Sequence, residues 1–248
     1  MGANNLTVGW LYPDLMNIYG DRGNVVTLLK RAQWRGLDAR LRELPKGDTG
    51  DLSDVDVFFF GGGQDREQAQ VYEDLLEHKA HRLAGAVAEG AAVLAVCGGY
   101  QLLGRYYQTA DGERLPGIGV IDVWTDAGDK RAIGNVVVDA GELGLQPHTL
   151  VGFENHSGRT FLGAGVRPLG RVVVGHGNSG DGWEGAVFEN VFCTYLHGAL
   201  LPKNPHLADL VTARALARRS PVELAPLDDS LELEAHERVE RRVLAARG

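Results

Sequence analysis

The most constraining stretch of the chain is AAVLAVCGGYQLLG, residues 91–104. A short apolar segment (Val93, Leu94, Ala95, Val96) runs through Cys97 into Gly98 and Gly99, and apolar positions then recur at Tyr100, Leu102 and Leu103. That spacing predicts a strand, a sharp turn and a helix. A nucleophile at such a turn sits on strained backbone with its side chain above a sheet, and glycines flank it where a Cβ would clash. The first turn of the following helix adds unpaired N–H groups that favour a thiolate over a thiol. A free cysteine taken alone reads as a small core residue. Between strand and helix patterns, Val-Cys-Gly-Gly instead points to a thiol placed to attack a carbonyl carbon.

The residues before this elbow predict alternating strands and helices. Residues 6–11 read as a buried strand, residues 24–34 as a helix and residues 37–44 as a second strand, because Val25, Leu28, Leu29 and Ala32 recur at helical spacing and Gly36 follows the last of them. Residues 55–60, VDVFFF, have the β-branched and aromatic content of a central strand covered on both faces. They run into Gly61, Gly62 and Gly63, where backbone N–H groups can approach a ligand as an oxyanion hole requires, although glycines alone read more simply as a flexible turn. A helical pattern spans residues 67–89. The order β-α-β-β-α-β-α predicts an α/β fold, a mostly parallel central sheet with helices on both faces.

Beyond Gly104 the texture changes to short strand-like runs at 119–124, 133–138, 150–153, 171–174, 186–188 and 191–196, which predict mixed or antiparallel pairing. Helices fit residues 206–219 and 228–246, the last of them charged and amphipathic, as a solvated face or a partner contact would be. A chain of 248 residues with 44% hydrophobic content fits one domain over residues 1–248, with a core over about 6–200 and C-terminal helices over about 204–246. A formal net charge of -8 with no long basic run argues against nucleic acid or an anionic membrane as partner. No apolar run approaches a membrane span and no leader pattern precedes the first strand. With only Cys97 and Cys193 as cysteines, the natural expectation is a reducing cytoplasm.

A cysteine nucleophile needs a base, and histidine serves near neutral pH. Of the eight histidines, His78, His81, His206 and His236 stand in charged helical surroundings and read as surface residues. His148 reads as loop, His176 falls in a glycine-rich turn, and His156 in FENHSGRT is a candidate binding residue. His197 stands apart because it ends the apolar run VFCTYLH and precedes Gly198, so it can face the same sheet edge as Cys97. No acid follows at Gly198 or Ala199 to orient it.

These residues resemble the class I glutamine amidotransferases: the elbow AVCGGYQLLG resembles their cysteine elbow, and His197 their general base. The chain is most similar to the CobB/CobQ-like branch, and within it to the GatD family, the glutaminase subunits of lipid II isoglutaminyl synthases. NIYGDRGN at 17–24, FFFGGGQD at 58–65, RAIGN at 131–135, GFENHSGRT at 152–160 and YLHG at 195–198 carry that likeness. Two departures stand out. Ala95 occupies the first glycine of the common Gly-x-Cys-x-Gly elbow, and the His-x-Glu of many members is absent, leaving a Cys-His dyad or an acid from elsewhere, including a partner.

The resemblance implies a flavodoxin-like amidotransferase fold and a thioester mechanism. Cys97 would attack the side-chain amide of L-glutamine, N–H groups near Gly62 or Gly63 and Gly98 would hold the oxyanion, and His197 would protonate departing ammonia. Arg131 would hold the substrate, and Gln101 would line the pocket. No metal site is implied. The chain has no GxxxxGK[ST] loop, so no cofactor is expected in this subunit. ATP and magnesium would belong to a separate MurT-like, Mur-ligase-family partner, which activates D-glutamate of the lipid II stem peptide for amidation to D-isoglutamine in peptidoglycan synthesis. The rivals are an amidotransferase subunit for another carboxylate such as a corrinoid, a non-catalytic regulatory subunit and a cysteine peptidase. NIYGDRGN and the C-terminal helix are the candidate partner surface.

Overall fold

Apolar runs buried at every position form the centre of the computed structural model, which describes residues 5–220 and 223–246. In chain order the elements are β1 (Asn5–Leu11), α1 (Arg22–Trp34), β2 (Asp38–Leu44), β3 (Val57–Phe60), α2 (Asp65–Asp74), α3 (Ala80–Ala88), β4 (Ala92–Val96), α4 (Gly98–Leu103), β5 (Tyr106–Gln108), β6 (Arg114–Pro116) and β7 (Val123–Asp139). There follow β8 (Thr149–Leu162), β9 (Gly170–Val174), β10 (Trp183–Glu184), β11 (Ala186–Phe188), β12 (Val191–Thr194), α5 (Leu200–Lys203), α6 (Pro205–Ala217) and α7 (Ser230–Ala245).

The VFFF of β3 and AVLAV of β4 have no exposed position, as strands covered on both faces must be. They pair in parallel, and the six-stranded sheet runs β11-β12-β4-β3-β1-β2, with only β11 antiparallel to its neighbour. The segment expected as one helix over 67–89 is instead α2 and α3 joined by a π-helical turn, Leu75–Lys79. The extra residue in that turn carries Lys79 inward, where its ammonium meets Asp74 at 2.5 Å while the Tyr12 hydroxyl donates to the same carboxylate at 2.8 Å.

The second half is built on one long hairpin. β7 and β8 pair antiparallel from Val123 opposite Leu162 to Asp139 opposite Thr149, with an irregularity between Ala127 and Ala132. The runs expected as separate strands at 119–124 and 133–138 therefore share β7, and residues 119–122 form the bend before it. β9, β10, β5 and β6 complete this sheet in the order β10-β9-β7-β5-β6, with β8 on the free side of β7.

The last helix is more than a solvated face. Val243 of α7 packs on Val137 and Val151 of the hairpin. His236, expected at the surface, is fully buried, its Nε2 2.9 Å from the Thr149 hydroxyl and its Nδ1 2.8 Å from the Lys203 carbonyl. Both ring nitrogens are satisfied, which is what permits the burial. His206 is likewise half-buried against the Thr149 carbonyl, and burial pushes its pKa down to about 4. Arg31 of α1, also buried, meets Asp209 at 2.7 Å and Asp229 at 2.5 Å, tying α6 and the start of α7 to α1.

Candidate active site

Four neighbouring parallel strands, β1, β3, β4 and β12, end at one edge of the first sheet. Ligands gather beyond the carboxyl ends of such strands. The segments that follow them carry Asp21, Gly61 to Gly63, Cys97 and His197.

Cys97 occupies the left-handed side of backbone space at φ 51° and ψ -106°. Such a conformation costs on the order of 1–3 kcal/mol and persists only where neighbours hold it. Here the Cys97 N–H donates to the Thr194 carbonyl at 2.9 Å, the Gln101 N–H to the Cys97 carbonyl at 3.0 Å, and the Gly99 N–H to the Gly61 carbonyl at 3.1 Å. The strand-turn-helix elbow expected from the sequence is thus present, and Ala95 sits in β4 between Phe60 and Cys193, its methyl fully buried in the place of the usual glycine.

His197 lies three residues beyond the end of β12 and is fully buried. Its N–H donates to the Phe153 carbonyl at 2.7 Å and its own carbonyl accepts from the Phe153 N–H at 3.3 Å, so β8 fixes its backbone. The Tyr19 ring meets the imidazole edge-on with centroids 4.9 Å apart. Burial disfavours a charged imidazole here, but Asp21 and Cys97 outweigh it and push the pKa up to about 9. Asp21, in the loop before α1, is fully buried with Oδ1 3.9 Å from His197 Nδ1.

One expectation needs correction. The Gly62 N–H donates to Asp21 Oδ2 at 2.7 Å and so is not free to face an oxyanion. The N–H groups of Gly63 and Gly98 have no backbone acceptor among the described residues. They lie side by side: a Cβ on Gly98 would come 3.0 Å from the Gly63 nitrogen and 2.9 Å from Gln68 Nε2. Gly62 is instead needed because a Cβ there would press on His197 Cε1 at 2.8 Å.

A cavity of about 220 Å³ beside Cys97 is lined by Gly63, Gln101, Arg131, Asn155 and His156 among others. Arg131 is exposed and reaches over from β7, its Nε–H donating to Asn155 Oδ1 at 2.6 Å, while Asn155 Nδ2 donates to the Tyr19 hydroxyl at 2.6 Å. A second cavity of about 250 Å³ shares Arg131, His156, Ser157 and Gly158 with the first. Gln101 is buried and its amide is internal, donating to the Tyr195 hydroxyl at 3.2 Å and accepting from Gln68 Nε2 at 3.0 Å. His156 stacks on Tyr195 at 3.7 Å between centroids. His176 bonds Glu154 through Nδ1 at 2.7 Å with its ring largely exposed, in keeping with a turn. Among the described residues no group of three or more His, Cys, Asp or Glu side chains could hold a metal.

Residues 7–205 match the CobB/CobQ-like glutamine amidotransferase domain. The chain belongs to that family. Among family relatives, the chain is 38% identical over 234 residues to the glutamine-hydrolysing lipid II isoglutaminyl synthase subunit GatD of Staphylococcus aureus, covering 94% of this chain and 93% of that one. The GatD subunit of Streptococcus pneumoniae is also 38% identical, over 94% of this chain and 89% of its own length. Cobyric acid synthase of Pelotomaculum thermopropionicum is 42% identical over 126 residues, which are 46% of this chain and 24% of that enzyme. A solved glutamine amidotransferase superposes with a TM-score of 0.59 at 20% identity, over 84% of this chain and 98% of its own, a likeness of fold.

In this member of the CobB/CobQ-like family, sequence reasoning passed over Asp21, Asn155 and Tyr19. The signal was present, because NIYGDRGN and GFENHSGRT stood out as motifs. Within NIYGDRGN, which the sequence offered as a candidate partner surface, Asp21 and Asn24 are wholly buried and Tyr19 lies over His197, while Asn17, Gly20 and Arg22 are exposed. Nothing local says that residues 176 positions apart meet; the order β12-β4-β3-β1 does.

Proposed function

We propose that the chain is the glutaminase subunit of a lipid II isoglutaminyl synthase, releasing ammonia from L-glutamine for a ligase carried on another chain. The observation that carries this reading is the near full-length likeness to two GatD subunits, combined with Cys97 and His197 at one sheet edge. With the proton resting on His197, the Cys97 sulfur attacks the amide δ-carbon of glutamine. The developing oxyanion lies at the N–H groups of Gly63 and Gly98. His197 gives its proton to the departing nitrogen, so ammonia leaves and a γ-glutamyl thioester remains. The neutral imidazole then takes a proton from water, which attacks the thioester and returns the sulfur with release of glutamate. Arg131, steadied by Asn155, pairs with the substrate carboxylate.

The subunit names of the relatives support a partner, and we assign it as a MurT-like Mur-ligase-family protein that binds ATP and magnesium and presents lipid II; this chain itself carries no cofactor. Among the described residues no helix is long and apolar enough to cross a membrane. Co-purification with a Mur-ligase-like protein, followed by glutamine-dependent amidation of lipid II, tests the reading. Amidation at low free ammonia must require both chains. Amidation without this chain, or glutamine-dependent amidation of a corrinoid carboxylate instead, would overturn it.

A further inference from the structure

We infer that Asp21 is the positioning residue that orients His197 and ties it to the oxyanion loop, completing a site that has no acid next to its histidine. Asp21 is fully buried, and a buried carboxylate with an unpaired oxygen is costly unless a charge answers it. Oδ2 is answered by the Gly62 N–H at 2.7 Å. Oδ1 has no hydrogen-bond partner, and neither do the two ring nitrogens of His197, whose Nδ1 is 3.9 Å away. Oδ1 and Nδ1 face one another just beyond hydrogen-bond distance, neither atom has another partner, and the Gly62 N–H on Oδ2 holds the carboxylate in that position. A proton on Nδ1 aimed at Asp21 leaves Nε2 to serve Cys97, which is the tautomer a Cys-His pair requires.

The groups that face His197 narrow the choice of acid. Cys97 approaches from the elbow, Asp21 and the Tyr19 ring from the loop before α1, and Glu184 contributes from β10. Glu184 is fully buried too, but its oxygens accept from the Tyr195 N–H at 2.6 Å and the Thr194 hydroxyl at 3.1 Å, so they brace the backbone leading to His197 and not its ring. Asp21 also holds the Gly62 peptide, immediately before Gly63. One carboxylate therefore sets both the ring that moves the proton and the loop that would receive the oxyanion.

The inference rests on glutamine hydrolysis at Cys97 for its purpose, but its test is separable from it. Asp21→Asn keeps an oxygen for the Gly62 N–H while removing the charge that faces the imidazole. The measurement is an NMR pH titration of the histidine Cε1–H signals in the full chain, with His197 assigned by its loss in His197→Gln. Wild-type His197 is expected to titrate near about 9, and D21N to bring it down by at least about one pH unit, the usual scale for removing an opposite charge at this range. In the glutaminase assay, kcat should fall about ten- to hundredfold, with KM little changed and the basic limb of the profile moved to lower pH. Asp21→Ser, smaller and still an acceptor, removes the charge if D21N does not fold. Glu184→Gln should move the titration less than D21N. An unmoved His197 titration in D21N or D21S, or a larger movement in E184Q, would overturn the inference. A wild-type chain that does not hydrolyse glutamine would instead refute the proposed function, and the substrate-free titration would still decide Asp21.

Discussion

The two sheets contribute to the site in different ways. The parallel sheet delivers backbone: a strained elbow at Cys97, the Gly63 and Gly98 N–H groups, and a buried His197 backed by Asp21, all at the ends of adjacent strands. The antiparallel hairpin delivers side chains, Arg131 from β7 and Asn155 from β8, which wall the cavity from the far side and reach Tyr19. The parallel sheet can fix atoms tightly at its carboxyl edge because β12, β4, β3 and β1, which lead into the site, each pair with a strand on either side. A half-exposed hairpin offers long polar side chains suited to gripping a substrate's charge. The division predicts that chemistry fails when the first sheet is altered and binding fails when the second is.

The largest effect expected is at the elbow. Cys97→Ser should lower glutaminase kcat by about 10⁴-fold or more, because a serine hydroxyl is a far weaker acid than a thiol and does not give up its proton to form the attacking anion, and His197→Gln by about 10²–10⁴-fold. Full activity in C97S would break the comparison outright. Arg131→Ala should raise KM for glutamine by about 30- to 100-fold with kcat much less affected, the scale of a lost charged hydrogen bond, and Asn155→Ala about tenfold. If R131A instead lowered kcat alone, the hairpin would belong to the chemistry and the division would be wrong.

The pH profile sharpens the same contrast. His197 has its pKa raised to about 9, so its proton is present below that value and lost above it. Activity should therefore fall as pH rises through about 9, while KM follows the hairpin residues and changes less. On the hairpin side the sign is opposite. His206 has its pKa lowered to about 4 by burial, so it contributes stability above its unfolded value near 6.5 that is lost as pH falls toward 4. Because Glu184, pushed up to about 8, slopes the other way between about 4.5 and 8, the check is a difference. Wild-type minus His206→Gln unfolding free energy should decrease by about 2 kcal/mol between pH 7 and pH 4.

What the sequence made legible follows the same line. The apolar runs ending in Gly61 to Gly63 and in Cys97 announce themselves, since a buried strand followed by glycines has few other uses, and they give both the parallel sheet and the nucleophile. His197 was legible because it closes a third such run. Asp21 was not, because it stands in a loop far from His197 along the chain and meets it only through strand order; with no acid beside the histidine, the sequence left open a bare Cys-His dyad or an acid from elsewhere, including a partner. β7 was read as two short runs and β8 as residues 150–153 alone, since polar and glycine positions interrupt the apolar pattern in both; the structure carries them through in one long hairpin, with the irregularity between Ala127 and Ala132. His236 was misread for a related reason: its charged neighbours on α7 face outward, and only the docked hairpin shows where its own ring goes.

The central claim is that the Cys97 sulfur carries the γ-glutamyl group between attack and hydrolysis. Rapid acid quench of the chain during turnover with isotope-labelled glutamine, followed by proteolysis and mass spectrometry, measures this directly. The account predicts a labelled γ-glutamyl adduct on the Cys97 peptide, lost in C97S. Glutamate formed at the wild-type rate with the label absent from Cys97, or present on Cys193, would contradict it.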